Sequence, residues 1–227
     1  MTTTTSPFPP GKAWVKNFEP IGYIGLEDRP AFKMALHKAG ERWYLYAAQF
    51  WTSGLSIVEV TDPRKPRFVR FIAGPPNTWT LQVQIAEGRM ITSMERIADG
   101  WGGDPNGPYG EGFLIWDLAD PENPKRLGHY KTGGSGTHRN YYDGGRYVHA
   151  TALPEGYEGH IYQIVDIADP ANPREVSRWW KKGQWIAGGE SGAPHGTLLH
   201  GGAYVKGERA YLPYSAGGFV ILDISDV

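Results

Sequence analysis

Apolar and polar residues partly alternate in short runs along the chain, and each run is cut after a few positions by Gly, Pro or a pair of charges. Alternation with a period of two places side chains on opposite faces of a strand, so these runs predict half-buried β-strands. No stretch shows the wider spacing of an amphipathic helix. Strand pairs are separated by turn clusters of one kind: Ala39-Gly40-Glu41, Glu87-Gly88-Arg89, Asp143-Gly144-Gly145 and Lys206-Gly207-Glu208. Gly in such clusters supplies the positive φ of tight hairpins. The strands that follow read Trp43-Tyr44-Leu45-Tyr46, Met90-Ile91-Thr92, Tyr147-Val148-His149-Ala150 and Tyr211-Leu212-Pro213-Tyr214.

A third strand then opens at Gly54-Leu55, Gly112-Phe113, Gly159-His160 and Gly218-Phe219. It runs into a phrase written four times: Ile57-Val58-Glu59-Val60-Thr61-Asp62-Pro63, Ile115-Trp116-Asp117-Leu118-Ala119-Asp120-Pro121, Ile164-Val165-Asp166-Ile167-Ala168-Asp169-Pro170 and Ile221-Leu222-Asp223-Ile224-Ser225-Asp226-Val227. The closing Asp residues stand 58, 49 and 57 positions apart. A fourth, outer strand follows at Arg67–Ile72, Lys125–Tyr130 and Arg174–Trp179. One supersecondary unit copied at a period near 50 is the mark of a repeat architecture. Four antiparallel strands per copy predict an all-β fold, a β-propeller of four-stranded blades, with about four blades in this chain. The third-strand repeats lie near 55–63, 113–121, 161–170 and 219–227. A β-sandwich would not predict this period, and a helical solenoid would need helical stretches in every copy.

The strand phrase with its Asp-Pro-x-x-Pro ending resembles the LVIVD-repeat proteins, a β-propeller family, from Pro20 to Asp226. The resemblance implies the fold and little agreed chemistry. Residues 1–16 read as a flexible segment, Thr- and Pro-rich. Residues 17–26 read as a fourth strand without its own blade, matching Asn123–Tyr130, and so as the strand that completes a last blade. The ring then closes in one of three ways: as four blades, as eight blades shared by two chains in a homodimer, or with the missing blades of a longer chain. The last is favoured, because a four-blade ring leaves little axial room.

Composition narrows the chemistry. The 227 residues carry 23 Lys and Arg against 24 Asp and Glu, for a net charge of -1, and no basic run interleaves with aromatics. That argues against a nucleic-acid groove. There is no Cys, which excludes disulfides, thiolate metal sites and a Cys nucleophile. No apolar run is long enough to span a bilayer, and the start lacks the basic and apolar stretches of a secretory signal, so a cytoplasmic protein with no membrane partner is expected.

Candidate chemistry lies in the Gly-rich segments between strands. His138 and His200 fall at matching points ahead of an innermost strand in neighbouring copies. His195 and Glu190 lie near His200 in sequence. Imidazoles with a carboxylate suit Zn, Mn or Fe, so His138, His195, His200 and Glu190 are the expected metal ligands. His138, Arg139, His200 and Glu190 are the expected catalytic set, with Arg139 able to clamp a carboxylate or phosphate. His149 reads as structural, and solvent is the simplest partner for His37, His129 and His160. Asp99, Asp104 and Asn106 loosely echo a Ca²⁺ loop but fail its pattern, so Ca²⁺ is disfavoured. Trp101, Tyr109 and Trp185 are the aromatic candidates for binding a small-molecule ligand. Two functions follow. One is a metal-dependent hydrolase or lyase acting on a small organic substrate. The other is a non-catalytic propeller used for binding or assembly, with Trp and Tyr as contact residues. No nucleophile-elbow motif supports a covalent mechanism.

Overall fold

A computed structural model describes residues 16–227. The segment expected to be flexible, residues 1–16, lies outside the described residues except for its last position. Among the described residues, sixteen strands form antiparallel sheets. Unit one is β1 (Ala31–Ala39), β2 (Arg42–Gln49), β3 (Gly54–Glu59) and β4 (Arg67–Ala73), paired in that order. Unit two has a broken inner strand, β5 (Thr78–Trp79) and β6 (Val83–Ala86), both paired with β7 (Arg89–Arg96). The unit then continues through β8 (Gly112–Asp117) and β9 (Lys125–Tyr130). Unit three is β10 (Gly134–Thr137), β11 (Tyr147–Pro154), β12 (Ile161–Asp166) and β13 (Arg174–Trp179). Unit four is β14 (Tyr204–Lys206), β15 (Arg209–Pro213) and β16 (Phe219–Asp223). The architecture is all-β and propeller-like.

The repeated phrase produces repeated geometry. Asp62, Asp120 and Asp169 each accept a hydrogen bond on Oδ1 from the N–H two residues on, at Arg64, Glu122 and Ala171, all at 3.0 Å. A side-chain oxygen that closes the turn is why Asp stands there. The third and fourth strands of units one, two and three slip register at equivalent points: Ile57/Val58, Ile115/Trp116 and Ile164/Val165.

Adjacent units pack face to face. Tyr46, Leu55 and Ile57 of unit one meet Val83 and Met90 of unit two. Ile91, Phe113 and Ile115 of unit two meet Val148 and Val165 of unit three. Tyr162 and Ile164 of unit three meet Leu199, Ala210 and Leu212 of unit four. Large apolar side chains on both faces of a sheet thus make three cores rather than one.

One sequence expectation changes. The third strand of unit three opens at Ile161, not at Gly159-His160. Counted back from Asp166, Ile161 takes the place of Gly54, Gly112 and Gly218, and His160 lies just ahead of the strand. Residues 17–25 are not paired into any sheet, and β16 ends a three-stranded sheet.

Units two and three are joined. Glu95 of β7 pairs with Trp79 of β5 and with Gly136 of β10. Gly136 has φ 111°, and a Cβ there would lie 2.1 Å from the Met94 carbonyl oxygen. Only glycine lets β10 approach β7 this closely. The junction brings the ends of β7, β10 and β12 to one place.

Candidate metal centre

Glu95 is buried, and its carboxylate faces two imidazoles from unit three. Oε2 is 2.5 Å from His138 Nδ1, and Oε1 is 2.5 Å from His160 Nε2. His138 directly follows β10 and His160 directly precedes β12, so strand ends fix both rings. Burial alone would raise the Glu95 pKa, but hydrogen bonds from His138 and His160 outweigh it and bring the carboxyl down to about 2. An ionised carboxylate only accepts, so each ring donates one N–H to it. The other ring nitrogens, His138 Nε2 and His160 Nδ1, are buried and have no hydrogen-bond partner. A histidine that gives one N–H to a carboxylate and keeps its second nitrogen free is oriented as metal-binding histidines are. Glu95, His138 and His160 can each offer a ligand atom within 4.8 Å of the others.

His200 stacks on His138, with ring centroids 5.2 Å apart. Burial is the main cause that lowers its pKa from the ordinary histidine value, with Glu95 acting in the opposite direction. The four side chains line a cavity of about 700 Å³ with Phe32, Phe50, Trp79, Trp101 and Arg139 among its walls. Phe50, Trp51, Trp79 and Trp101 form a contiguous aromatic cluster at its side. Arg139 makes no ion pair among the described residues, its Nε is buried without a partner, and its guanidinium lies 5.9 Å from the Phe32 ring centre. A second, mostly apolar cavity of about 410 Å³ lies between units one and two, away from this cluster.

Of the residues expected from sequence, His138, His200, Arg139 and Trp101 come together here. Glu190 does not. Its Oε2 accepts hydrogen bonds from the N–H groups of Gly183 (2.8 Å) and Trp185 (3.2 Å) and from Trp180 Nε1 (3.3 Å), closing the turn that carries them. His195 is exposed and lines no part of this cavity. Trp185 packs on Tyr157 and Trp180 instead. Tyr109 lines a separate, shallow hollow with Glu111 and Tyr157. Asp99 pairs with Arg96, and Asp104 accepts from the Asn106 N–H, so the loop's polar groups hold its own turns. His129 is hydrogen-bonded to the Glu111 carbonyl rather than to solvent. His149 is buried against the Tyr162 hydroxyl.

Glu95 and His160 were missed. The residues that pair with the third-strand acidic position are Tyr44, Arg89, Tyr147 and Arg209. Six residues on stand Phe50, Glu95, Leu153 and Ser215. A carboxylate where two other copies carry a large apolar residue was the available signal. The Gly159-His160 misalignment hid the other.

The LVIVD repeat family model matches residues 162–179 and 203–227. The chain carries LVIVD repeats. No curated protein matches this sequence. Among solved structures, the computationally designed Ika4 protein is similar in fold, with a TM-score of 0.50 and 11% identity over 86% of this chain and 92% of that one. A thermostable family-43 glycoside hydrolase is a more distant likeness, with a TM-score of 0.42 and 12% identity over 80% of this chain and 62% of that one. Among the described residues, no helix is long and apolar enough to cross a membrane.

Proposed function

We propose that the four units are propeller blades and that the Glu95–His138–His160 cluster, with His200, is a divalent-metal centre for Zn, Mn or Fe. It serves a hydrolase or lyase acting on a small organic substrate. The observation that carries this reading is the pair of buried, unpartnered ring nitrogens beside a carboxylate that holds both rings. An orphaned buried nitrogen costs free energy unless something binds it. A divalent ion there would act as a Lewis acid toward a substrate oxygen or a water. His138 and His160 would hold the ion through their unpartnered nitrogens, while Glu95 fixes the tautomers and supplies negative charge and His200 lies beside them.

The rest of the cavity describes the substrate. Arg139, with no acidic partner, suits a carboxylate or another small oxyanion. The aromatic cluster of Phe50, Trp79 and Trp101 suits a flat or apolar body. A small aromatic or apolar carboxylate therefore fits both ends.

A second reading rests on the direct contact between Glu95 and His138. A carboxylate that orients a buried imidazole can serve proton transfer without a metal. Elemental analysis of the untagged protein separates the two. Near-stoichiometric metal, lost in His138→Ala and His160→Ala, supports the metal centre. A metal-free protein that still turns over small carboxylate esters would leave the proton-transfer reading standing.

A further inference from the structure

Units one and four each present an apolar sheet face that none of the described residues covers. Counted from the third-strand acidic position, Phe219 and Ile221 of unit four are the equivalents of Leu55 and Ile57, Phe113 and Ile115, and Tyr162 and Ile164. Those six are at most 5% exposed, each pair buried against the following unit. Phe219 and Ile221 are 66% and 55% exposed. Unit one shows the opposite face. Ala35 and Tyr44 turn toward unit two, so their strand neighbours Met34, Leu36 and Trp43 turn away, and Met34 and Leu36 are 56% and 57% exposed. These are the two halves of an interface that the chain builds three times internally.

The segment ahead of β1 completes the pattern. In β9, the outer strand of unit two, Gly128 lies against the turn of unit three, and a Cβ there would be 1.7 Å from the Pro170 oxygen. Gly22 lies against the equivalent turn of unit one, where a Cβ would be 1.9 Å from the Pro63 oxygen. Residues around Gly22 therefore already sit where the outer strand of a preceding unit belongs. Among the described residues unit four is a three-stranded sheet, and the far edge of β16 is unpaired.

We propose that a second copy of this chain supplies the missing neighbours. Unit four of each copy packs on unit one of the other, and the Gly22 segment of one copy pairs with the β16 edge of the other. Two-fold symmetry then closes a ring of eight units, and both exposed edges disappear. The alternation of faces makes each free face complementary to its counterpart rather than to itself, so two junctions form together.

Light scattering on the 227-residue chain at micromolar concentration tests this. The expected particle contains two copies. Ile221→Lys puts a charge in each junction and should weaken the dimer at least tenfold while leaving the β-sheet circular dichroism intact. Gly22→Val, whose side chain would meet the Pro63 oxygen, should displace the segment and weaken the dimer in the same direction. It stands as the second variant if Ile221→Lys fails to fold. A stable monomer overturns the proposal and leaves those faces to further repeats or another partner. So does a dimer that keeps its strength in both variants, or an assembly larger than two copies.

Discussion

Glu95 and His138, 43 residues apart in sequence, meet at 2.5 Å where unit two joins unit three. The contact is nearly dry, with the two side chains 5% and 11% exposed. Glu95→Gln removes the charge and presents an amide N–H to at least one ring N–H. Removal of a carboxylate that orients a metal-binding histidine typically costs 10–100-fold in metal affinity or activity. A loss of about that size, measured by competition with a chelator, is expected with the thermal unfolding still cooperative. Unchanged metal affinity would remove Glu95 from the site.

Gly136 lets the two strands of the junction touch. Gly136→Ala places a Cβ 2.1 Å from the Met94 oxygen at φ 111°. Strain of this kind costs about 2 kcal/mol or more. A lower urea midpoint is expected, together with loss of metal even in the fraction that stays folded. Gly88→Ala is the control. Its φ is also positive, at 71°, but nothing lies within 4 Å of a Cβ there, so it should disturb the fold less and spare the metal.

His149 makes stability pH-dependent. Burial lowers its pKa from 6.5 to about 4. Between those values the unfolded chain binds a proton that the folded chain refuses, so stability falls as pH drops through that window and is regained as pH rises. The full effect is at most about 3 kcal/mol. His149→Phe should flatten the change in urea midpoint between pH 7 and pH 5, at some loss of stability from the unpartnered Tyr162 hydroxyl. An equally steep fall in the variant would assign the effect to other groups.

Trp101 and Arg139 should separate binding from folding. Trp101 is 58% exposed but packs on Phe50, Trp51 and Trp79, so Trp101→Ala is expected to cost no more than about 1.5 kcal/mol of stability. Its effect should fall on KM for substrates with an aromatic or apolar body. Arg139→Gln should raise KM about tenfold or more for carboxylates and little for their neutral amides. Equal losses for acid and amide would deny Arg139 its anion.

The repeat, its strand phrase and its Asp-Pro turns were legible in the sequence because they are local. Alternation, Gly at hairpins and an Asp that closes its own turn act within a few residues. Most strands, including the outer ones Arg67–Ala73, Lys125–Tyr130 and Arg174–Trp179, could therefore be read directly. His138 and His200 were singled out as both lying ahead of an innermost strand; they do meet, but His138 follows β10 whereas His200 precedes β14. Tertiary structure decided the carboxylate. Glu190 is near His195 and His200 in sequence, yet its oxygen is taken by three N–H donors of its own turn. Glu95 reaches His138 and His160 only because Gly136 lets unit three lie directly against β7. Sequence spacing records which residues share a loop. Which strand ends face one another depends on how the units stack, and that depends on long-range packing of side chains on both faces of every sheet.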